Sequence, residues 1–208
     1  FNEGLKLIKG MNKSDLLSYE YLDFFELFYG QDEKFNIFKH INPKLKVDHD
    51  INLNLMRTSS DFFYLDKSLK KDKVFFLKCI EKKFSTNILL KYSHQEIKKD
   101  IPLIIHALNG TDGMEVFNEI DKSLWKNQDF IILILSTCNH IWNDVGILDI
   151  LIDKINIKLK KDPEFMLRAI QSSNYSIESL DRLDKGLRKN KKFILSLLKL
   201  LETHPHTS

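Results

Sequence analysis

One short phrase recurs six times along this chain and constrains its fold more than any other feature of the sequence. Each copy has an apolar residue, two mostly basic residues and an Asp or Asn, followed by an amphipathic run. The copies are Leu45-Lys46-Val47-Asp48, Leu69-Lys70-Lys71-Asp72, Ile97-Lys98-Lys99-Asp100, Leu124-Trp125-Lys126-Asn127, Leu159-Lys160-Lys161-Asp162 and Leu187-Arg188-Lys189-Asn190. Their first residues lie 24, 28, 27, 35 and 28 positions apart. Such steps are typical of arrays built from small, self-similar helical units.

The Asp or Asn that ends each phrase is predicted to cap a helix. Its side-chain oxygen accepts hydrogen bonds from unpaired N–H groups of the first helical turn, which stabilises a helix by about 1 kcal/mol. Asp162-Pro163-Glu164 is the clearest copy, because Pro suits the first helical position and an acid suits the first turn. The six predicted caps are Asp48, Asp72, Asp100, Asn127, Asp162 and Asn190.

Apolar residues follow each cap at helical spacing. Position +3 from the cap is Ile51, Phe75, Leu103, Phe130, Phe165 or Phe193, and position +8 is Met56, Ile80, Leu108, Leu135, Ile170 or Leu198. Together with position +7 they form a stripe that predicts a helix B in every copy. Apolar spacing before the phrase, as in Phe62, Leu65 and Leu69 or in Phe117, Ile120 and Leu124, predicts a shorter helix A.

The sequence therefore predicts an all-α fold of tandem helix-pair repeats of about 24–35 residues, forming a solenoid or a compact helical stack. The array is expected over residues 45–201, after an N-terminal helical cap at 1–44 and before a disordered tail at 202–208. Within the N-terminal segment, a Ser14 cap predicts a helix over 14–28, and residues 32–41 read as a degenerate seventh copy. The 35-residue step places extra residues at 136–153, either as a longer helix A or as an inserted loop.

The best copy, Tyr64-Leu65-Asp66-Lys67-Ser68-Leu69-Lys70-Lys71-Asp72-Lys73-Val74-Phe75, resembles the tandem helical repeats called domain of unknown function 4116. Asn109-Gly110 and Ser173-Asn174-Tyr175-Ser176 are similar to the turns of that family. The resemblance covers roughly residues 45–200 and implies an all-helical array of a kind found in some protists and intracellular bacteria. It implies no reaction and no catalytic residue. Ser93 and the long fourth step depart from the pattern.

Composition limits the classes of partner and of fold. Only four of the 32 basic residues are Arg, and Ala occurs only at Ala107 and Ala169. Caps and packing must therefore specify the helices more than intrinsic propensity does. A net charge of +3 is mild for a nucleic-acid-binding domain. The longest apolar run, 130–135, is far shorter than the ~20 residues of a membrane span, so we expect a soluble protein without a transmembrane segment. The first residue is Phe1, which favours a fragment or a processed product.

Basic side chains at equivalent positions are the first candidate for partner binding. They are Lys70, Lys71, Lys98, Lys99, Lys126, Lys160, Lys161, Arg188 and Lys189. Stacked copies would align them as a stripe able to bind phosphate or carboxylate groups of a nucleic acid or an anionic lipid. The competing interpretation is that each pair only compensates the negative end of a helix dipole. Trp142, in the 136–153 insert, is a second candidate for binding a partner.

Catalysis has weaker support in the sequence. Phosphate-loop, dinucleotide-binding, nucleophile-elbow and His-Glu-x-x-His patterns are absent. Cys138, His140 and Asp144 are the candidates for a site converging from separate helices, although a buried, structural Cys138 is favoured. Cys79 is also expected to be a buried, reduced thiol. The scattered histidines predict no metal site, and no cofactor is expected.

These observations favour a non-catalytic protein–protein interaction scaffold or recognition domain. Resemblance and composition add the expectation of a secreted effector that an intracellular bacterium delivers into a host cell. An enzyme built around the insert and an anionic-surface binder using the Lys stripe are the alternatives.

Overall fold

The computed structural model describes residues 2–18, 37–109, 113–139, 146–173 and 177–203, and within these ranges the chain is all-helical. The α-helices are α1 (Asn2–Gly10), α2 (Lys13–Leu17), α3 (His49–Leu55), α4 (Lys73–Glu81), α5 (Thr86–Tyr92), α6 (Gln95–Lys98), α7 (Ile101–Leu108), α8 (Val116–Glu119), α9 (Gln128–Asn139), α10 (Ile147–Leu151), α11 (Ile157–Lys160), α12 (Pro163–Gln171), α13 (Lys185–Lys189) and α14 (Lys191–Thr203). Short 3₁₀ helices cover Ile37–Lys39, Pro43–Leu45, Ser59–Tyr64, Leu69–Lys71, Gly113–Glu115, Leu124–Lys126 and Ile177–Arg182. The all-α prediction is confirmed.

Contacts divide the chain into two compact units, unit 1 at 1–120 and unit 2 at 121–208. In unit 1, α2 packs against α3, α3 against α4, and α4 against α7. In unit 2, α9 packs against α12, and α12 against α14. The predicted division at residues 44 and 201 is a different one and stays a prediction.

All six residues predicted as caps accept hydrogen bonds from the first turn of the following helix. The +3 amide donates to the cap oxygen at 3.0–3.2 Å in every copy. The backbone N–H of each cap also donates to the carbonyl of the apolar residue that opens the phrase, at 2.9–3.1 Å. Each cap residue therefore closes a short helical turn before it and starts a longer helix after it, namely α3, α4, α7, α9, α12 and α14. We call these six the capped helices.

A further set of caps lies six residues before the six predicted ones. We call these upstream residues the first caps and the six predicted residues the second caps. In each copy a side chain accepts a hydrogen bond from the backbone amide two positions later, at 2.8–3.4 Å. These residues are Asn42, Asp66, His94, Asp121, Asn156 and Asp184. We call the seven residues from one cap to the next, such as 66–72, a double-cap segment. Its only turn of helix is too short to be stable alone and is held by a cap at each end.

The continuous helix A predicted from the spacing of Phe62, Leu65 and Leu69 is wrong. The backbone is extended at Leu65, where ψ is 159°, and likewise at Ser93 and Ile120. A short helical piece precedes each break and the double-cap segment follows it. The side chain of the first cap residue competes with the helical backbone for hydrogen bonds, and this ends the helix.

The N-terminal helix and the insert also differ from the sequence predictions. Helix α2 is capped by Asn12 in a capping box with Asp15, so Ser14 lies inside its first turn, and the chain becomes extended at Ser18. Residues 19–36, which hold the rest of the predicted 14–28 helix, lie outside the described residues, as does the first half of the 32–41 copy. Of the extra residues at 136–153, the first four extend α9 to Asn139. Helix α9 is the helix B of its copy, whereas the sequence predicted either a longer helix A or an inserted loop.

The core is formed by the predicted stripe. Positions +3 and +7 are buried in all six copies. Position +8 is buried in four copies and half-buried at Ile80, but Leu198 on α14 is 46% exposed. The stripe thus contributes to the core in every copy except at the +8 position of α14.

Helix α4 ends in a turn that normally requires glycine. Lys83 has a positive φ of 65°. Its N–H donates to the Ile80 carbonyl at 2.8 Å, and the Phe84 N–H donates to the Cys79 carbonyl at 3.2 Å. This pair of bonds is a Schellman motif, in which a left-handed residue satisfies the last helical carbonyls. Lysine at this position carries a steric cost that glycine would not.

Candidate partner-binding surface

A line of polar contacts joins each predicted cap in unit 1 to the start of an earlier helix. Lys13 Nζ lies 2.8 Å from Asp48 Oδ2, and His49 Nε2 lies 3.0 Å from Asp72 Oδ2. Lys73 forms an ion pair with Asp100. In each case the donor directly follows the cap of an earlier helix, namely Asn12, Asp48 or Asp72, and the acceptor is one of the six predicted caps. We call this line of contacts the cap ladder.

The ladder keeps its carboxylates ionised. Burial by itself would raise the pKa of Asp48, but hydrogen bonds from Lys13 and from backbone amides outweigh it and leave that pKa below its ordinary value. The pKa of Asp72 is lowered in the same way, against the effect of burial, by the Phe75 amide and by His49. An ionised carboxylate is also the better acceptor for a helix N-terminus.

A second ion pair recurs between neighbouring capped helices. Asp50 on α3 is 3.5 Å from Lys78 on α4, and Asp129 on α9 is 3.8 Å from Arg168 on α12. In both pairs an acid at position +2 of one helix faces a base at position +6 of the next. Neighbouring capped helices therefore pack with the same relative placement in both units.

In two copies the first basic residue of the phrase is used within the protein. Lys70 Nζ donates to the Phe63 carbonyl, and burial lowers the pKa of the Lys70 ammonium. Lys98 Nζ donates to the Lys91 carbonyl at 3.0 Å and lies 3.6 Å from Glu119, with its side chain only 14% exposed. Both lysines reach a carbonyl seven residues earlier. At these two positions the lysines compensate the carbonyl end of a preceding helix, which is a structural role.

The other basic positions are distributed differently. Lys160 is half-buried and Arg188 is exposed. The second residue of each pair is exposed in every copy that has a lysine there: Lys71, Lys99, Lys126, Lys161 and Lys189. In the fourth copy Trp125 replaces the first lysine, and its ring is buried 5.6 Å from that of Phe130. Only the second position therefore offers cations to a partner in nearly every copy.

An exposed group of aromatic side chains lies beside two lysines in unit 1. Phe63 is 52% and Tyr64 is 44% exposed, and the Phe63 ring centroid is 5.1 Å from that of Tyr64 and 5.1 Å from that of Tyr92. Lys70 Nζ lies 5.3 Å from the centre of Phe63, and Lys91 Nζ lies 5.5 Å from the centre of Tyr92. We call these five residues the aromatic–lysine cluster. Exposed aromatic rings rimmed by cations are characteristic of protein interaction sites.

The cysteines have the properties of structural residues. Cys79 and Cys138 are fully buried and form no disulfide. Burial raises the pKa of each thiol to about 12, so at neutral pH almost none of either is the nucleophilic thiolate. His140, Trp142 and Asp144 lie outside the described residues. The described residues also contain no group of three His, Cys, Asp or Glu side chains placed to hold a metal ion.

Sequence reasoning missed two features of this surface. The first caps, three residues before each phrase, were not recognised, because His94 interrupts an otherwise regular column of Asp and Asn. Their constant six-residue distance from the second caps was the signal that would have found them. The aromatic–lysine cluster had no such signal, since Phe63 and Tyr92 are 29 positions apart and meet only through packing of the 59–64 helix against α5.

Comparison with known proteins found no match among protein-family models, curated proteins or solved structures. The resemblance to the repeats of domain of unknown function 4116 therefore stays a prediction. Among the described residues, none of the helices has the length and apolar character that a membrane span requires.

Proposed function

We propose that this protein is a non-catalytic helical-repeat scaffold that binds another protein through the aromatic–lysine cluster of unit 1. The exposed cluster is the observation that carries the proposal. Phe63 and Tyr64 leave large apolar rings in water, whereas every phenylalanine at cap position +3 is buried. Aromatic side chains of this kind contribute most of the binding energy at protein interfaces.

Hydrogen bonds that recur between consecutive copies support the proposal that the copies form a repeat array. Besides the cap ladder, the His94 N–H donates to the Lys70 carbonyl at 2.9 Å, and the Asn156 N–H donates to the Trp125 carbonyl at 3.2 Å. These bonds join equivalent positions of consecutive copies, one in each unit. An array of linked, similar units presents an extended surface whose exposed positions are free to vary.

The position of the cluster also supports binding rather than stability. Lys70 donates a hydrogen bond to the Phe63 carbonyl, and Lys98 donates one to the Lys91 carbonyl. These bonds fix the backbone that carries the aromatic rings in the unbound protein. A rigid aromatic surface loses little conformational entropy on binding. The flanking ammonium groups favour a partner with acidic residues next to an apolar or aromatic side chain.

Capture of partners by two matched variants tests this proposal. Phe63→Ser with Tyr64→Ser removes the exposed rings, while Val47→Ser with Val74→Ser removes exposed apolar side chains that lie outside the cluster. Wild type and the Val47/Val74 control should retain the same proteins from a lysate, measured by quantitative mass spectrometry. The Phe63/Tyr64 variant should lose them while keeping its circular dichroism spectrum.

Two results would contradict the proposal. The first is an identical set of proteins retained by all three forms. The second is retention of nuclease-sensitive nucleic acid that depends steeply on salt and on the exposed second lysines, such as Lys71 and Lys126, which would favour the anionic-surface alternative. The expectation that the array is delivered by an intracellular bacterium into a host cell is part of the proposal and rests on the resemblance and on composition.

A further inference from the structure

One side of α14 is exposed at positions that are covered in the other capped helices. Position +5 is half-buried in the five earlier copies, at Leu53, Leu77, Ile105, Ile132 and Leu167. On α14 the same position is Leu195, which is 57% exposed, and Leu198 at +8 is 46% exposed. With 3.6 residues per turn, positions +1, +5 and +8 lie on one side of a helix. We call this side of α14, with Lys191, Lys192, Leu195, Leu198 and Lys199, the open face.

The corresponding side of other capped helices receives the next helix. On α9, position +2 is Asp129, and its ion pair with Arg168 shows that α12 lies along this side. On α4, position +1 is Lys73, which pairs with Asp100, the cap of α7. Position +1 of one helix thus meets the next cap, and position +2 meets position +6 of the next helix. A helix laid on the open face in the same way would bring its own cap to Lys191 and its own position +6 to Lys192.

The charges of the open face differ from those of the faces already covered. Position +2 is acidic on α3 and on α9, and the bases Lys78 and Arg168 face it. On α14 this position is Lys192, with Lys191 beside it and Lys199 about two turns later. A basic +6 side chain that suits α9 would meet a like charge here. Like charges brought together at an interface select against the partner that carries them.

We propose that the open face of α14 binds an acidic, Asp-capped helix of a partner protein, packed as one capped helix packs on the next. The partner's apolar side would cover Leu195 and Leu198, its Asp cap would face Lys191, and an acid six residues after the cap would face Lys192. Lys191, Lys192, Leu195, Ser196 and Lys199 form an open, nearly flat surface at this position. A second copy of the protein is disfavoured as occupant of a face-to-face contact, because three lysines would meet three lysines.

This inference rests on the proposed repeat packing but concerns a surface other than the aromatic–lysine cluster. Failure of the test below would leave the capture result at Phe63 and Tyr64 unaffected. The two proposals are therefore tested separately.

The probe is a pair of N-acetylated, fluorescein-labelled peptides with the sequence of residues 162–173, which leaves out the basic residues before the cap. They are stapled on the side away from the contact because short helices are marginal in water. This segment is the capped helix that already packs on α9. One peptide keeps Arg168, and the other carries Arg168→Glu. Both contain the Asp162 cap. They differ only at residue 168, the position expected to face Lys192. Fluorescence anisotropy measures their binding to the full chain.

The Arg168→Glu peptide should bind wild-type protein about tenfold more tightly than the peptide with Arg168. Lys192→Asp in the protein should reverse that order, and Leu195→Asp should abolish binding of both peptides. Lys185→Glu, an exposed charge reversal on α13, is the matched control and should leave the order unchanged.

Three outcomes would overturn the proposal. Equal affinities for the two peptides, or an order that Lys192→Asp does not reverse, would refute the charge selection. Dimerisation that depends on Leu195, seen by sedimentation without peptide, would assign the open face to a second copy. Binding to phosphatidylserine vesicles that depends on Leu195, with neither peptide bound, would assign it to an anionic membrane.

Discussion

Substitution of Asp72 tests how much each of its two carboxylate oxygens contributes to the stability of the protein. Oδ1 accepts the Phe75 amide at 3.0 Å, and Oδ2 is 3.0 Å from His49 Nε2. Loss of a cap costs about 1 kcal/mol, and loss of a partly exposed contact such as that with His49 adds about 0.5 kcal/mol. Asp72→Ala should therefore lower the free energy of unfolding by about 1.5 kcal/mol. Asp72→Asn keeps the acceptor and should lose only about 0.5 kcal/mol.

The effect should also depend on pH in a defined direction. Hydrogen bonds to the ionised carboxylate hold the pKa of Asp72 below its ordinary value. A group of this kind contributes stability at pH values above its unfolded pKa, and the contribution is lost as pH falls through the folded pKa. The difference between wild type and Asp72→Ala should accordingly shrink as the pH falls below about 4.

Urea unfolding followed by circular dichroism measures these differences. Both tryptophans, Trp125 and Trp142, belong to unit 2, so fluorescence does not report on unit 1 directly. His49→Ala in both backgrounds completes a double-mutant cycle that separates the contact from the cap. The reasoning is refuted if Asp72→Asn costs as much as Asp72→Ala, or if the Ala variant loses less than about 0.3 kcal/mol.

Three further substitutions or reactions have definite expected results. Lys83→Gly should raise the free energy of unfolding by about 1 kcal/mol in the same urea assay, because the left-handed φ disfavours a side chain. Lys82→Gly, at a negative φ of −76°, should lower it. His94→Asp should stabilise unit 1 by about 0.5 kcal/mol at pH 7, since a carboxylate is a better cap than the 3.4 Å contact to the ring; a loss of stability would contradict this. Cys79 and Cys138 should react with a thiol reagent at pH 8 about a hundredfold more slowly in the folded than in the urea-unfolded protein, and rapid labelling of Cys138 would revive the catalytic alternative.

The second caps and the core positions could be predicted because they depend on local chemistry. Asp162 and Asn190 each bond to an amide three residues away, and Phe165 and Phe193 follow at helical spacing. Interactions between residues this close in the chain can be recognised from residue type and spacing alone. The all-α fold follows from them without knowledge of any distant contact.

Other features depend on choices that the sequence pattern leaves open. Apolar residues three and four apart, such as Leu65 and Leu69, fit a continuous helix as well as two short turns. Asp66 decides between them by bonding to the Ser68 amide, and this competition is not visible in a hydrophobic period.

The candidate surface depends on tertiary packing. Phe63 and Tyr92 lie in different helices, so their contact could not be read from spacing. The two lysines of a pair look equivalent in sequence, but Lys98 is engaged in a largely buried ion pair while Lys99 is exposed. Exposure, which decides whether a cation meets a partner, is set by which side of the short turn faces the core.

Amide hydrogen exchange tests the central claim, that six double-cap segments start six equivalent helices. Amides at the third position of an uncapped helix have no acceptor and exchange freely. In this protein the +3 amides of all six copies, from Ile51 to Phe193, donate to a cap side chain. Their exchange should be slowed about tenfold or more, and Asp72→Ala should release Phe75 alone. Free exchange at several of these amides in the wild-type protein would contradict the account.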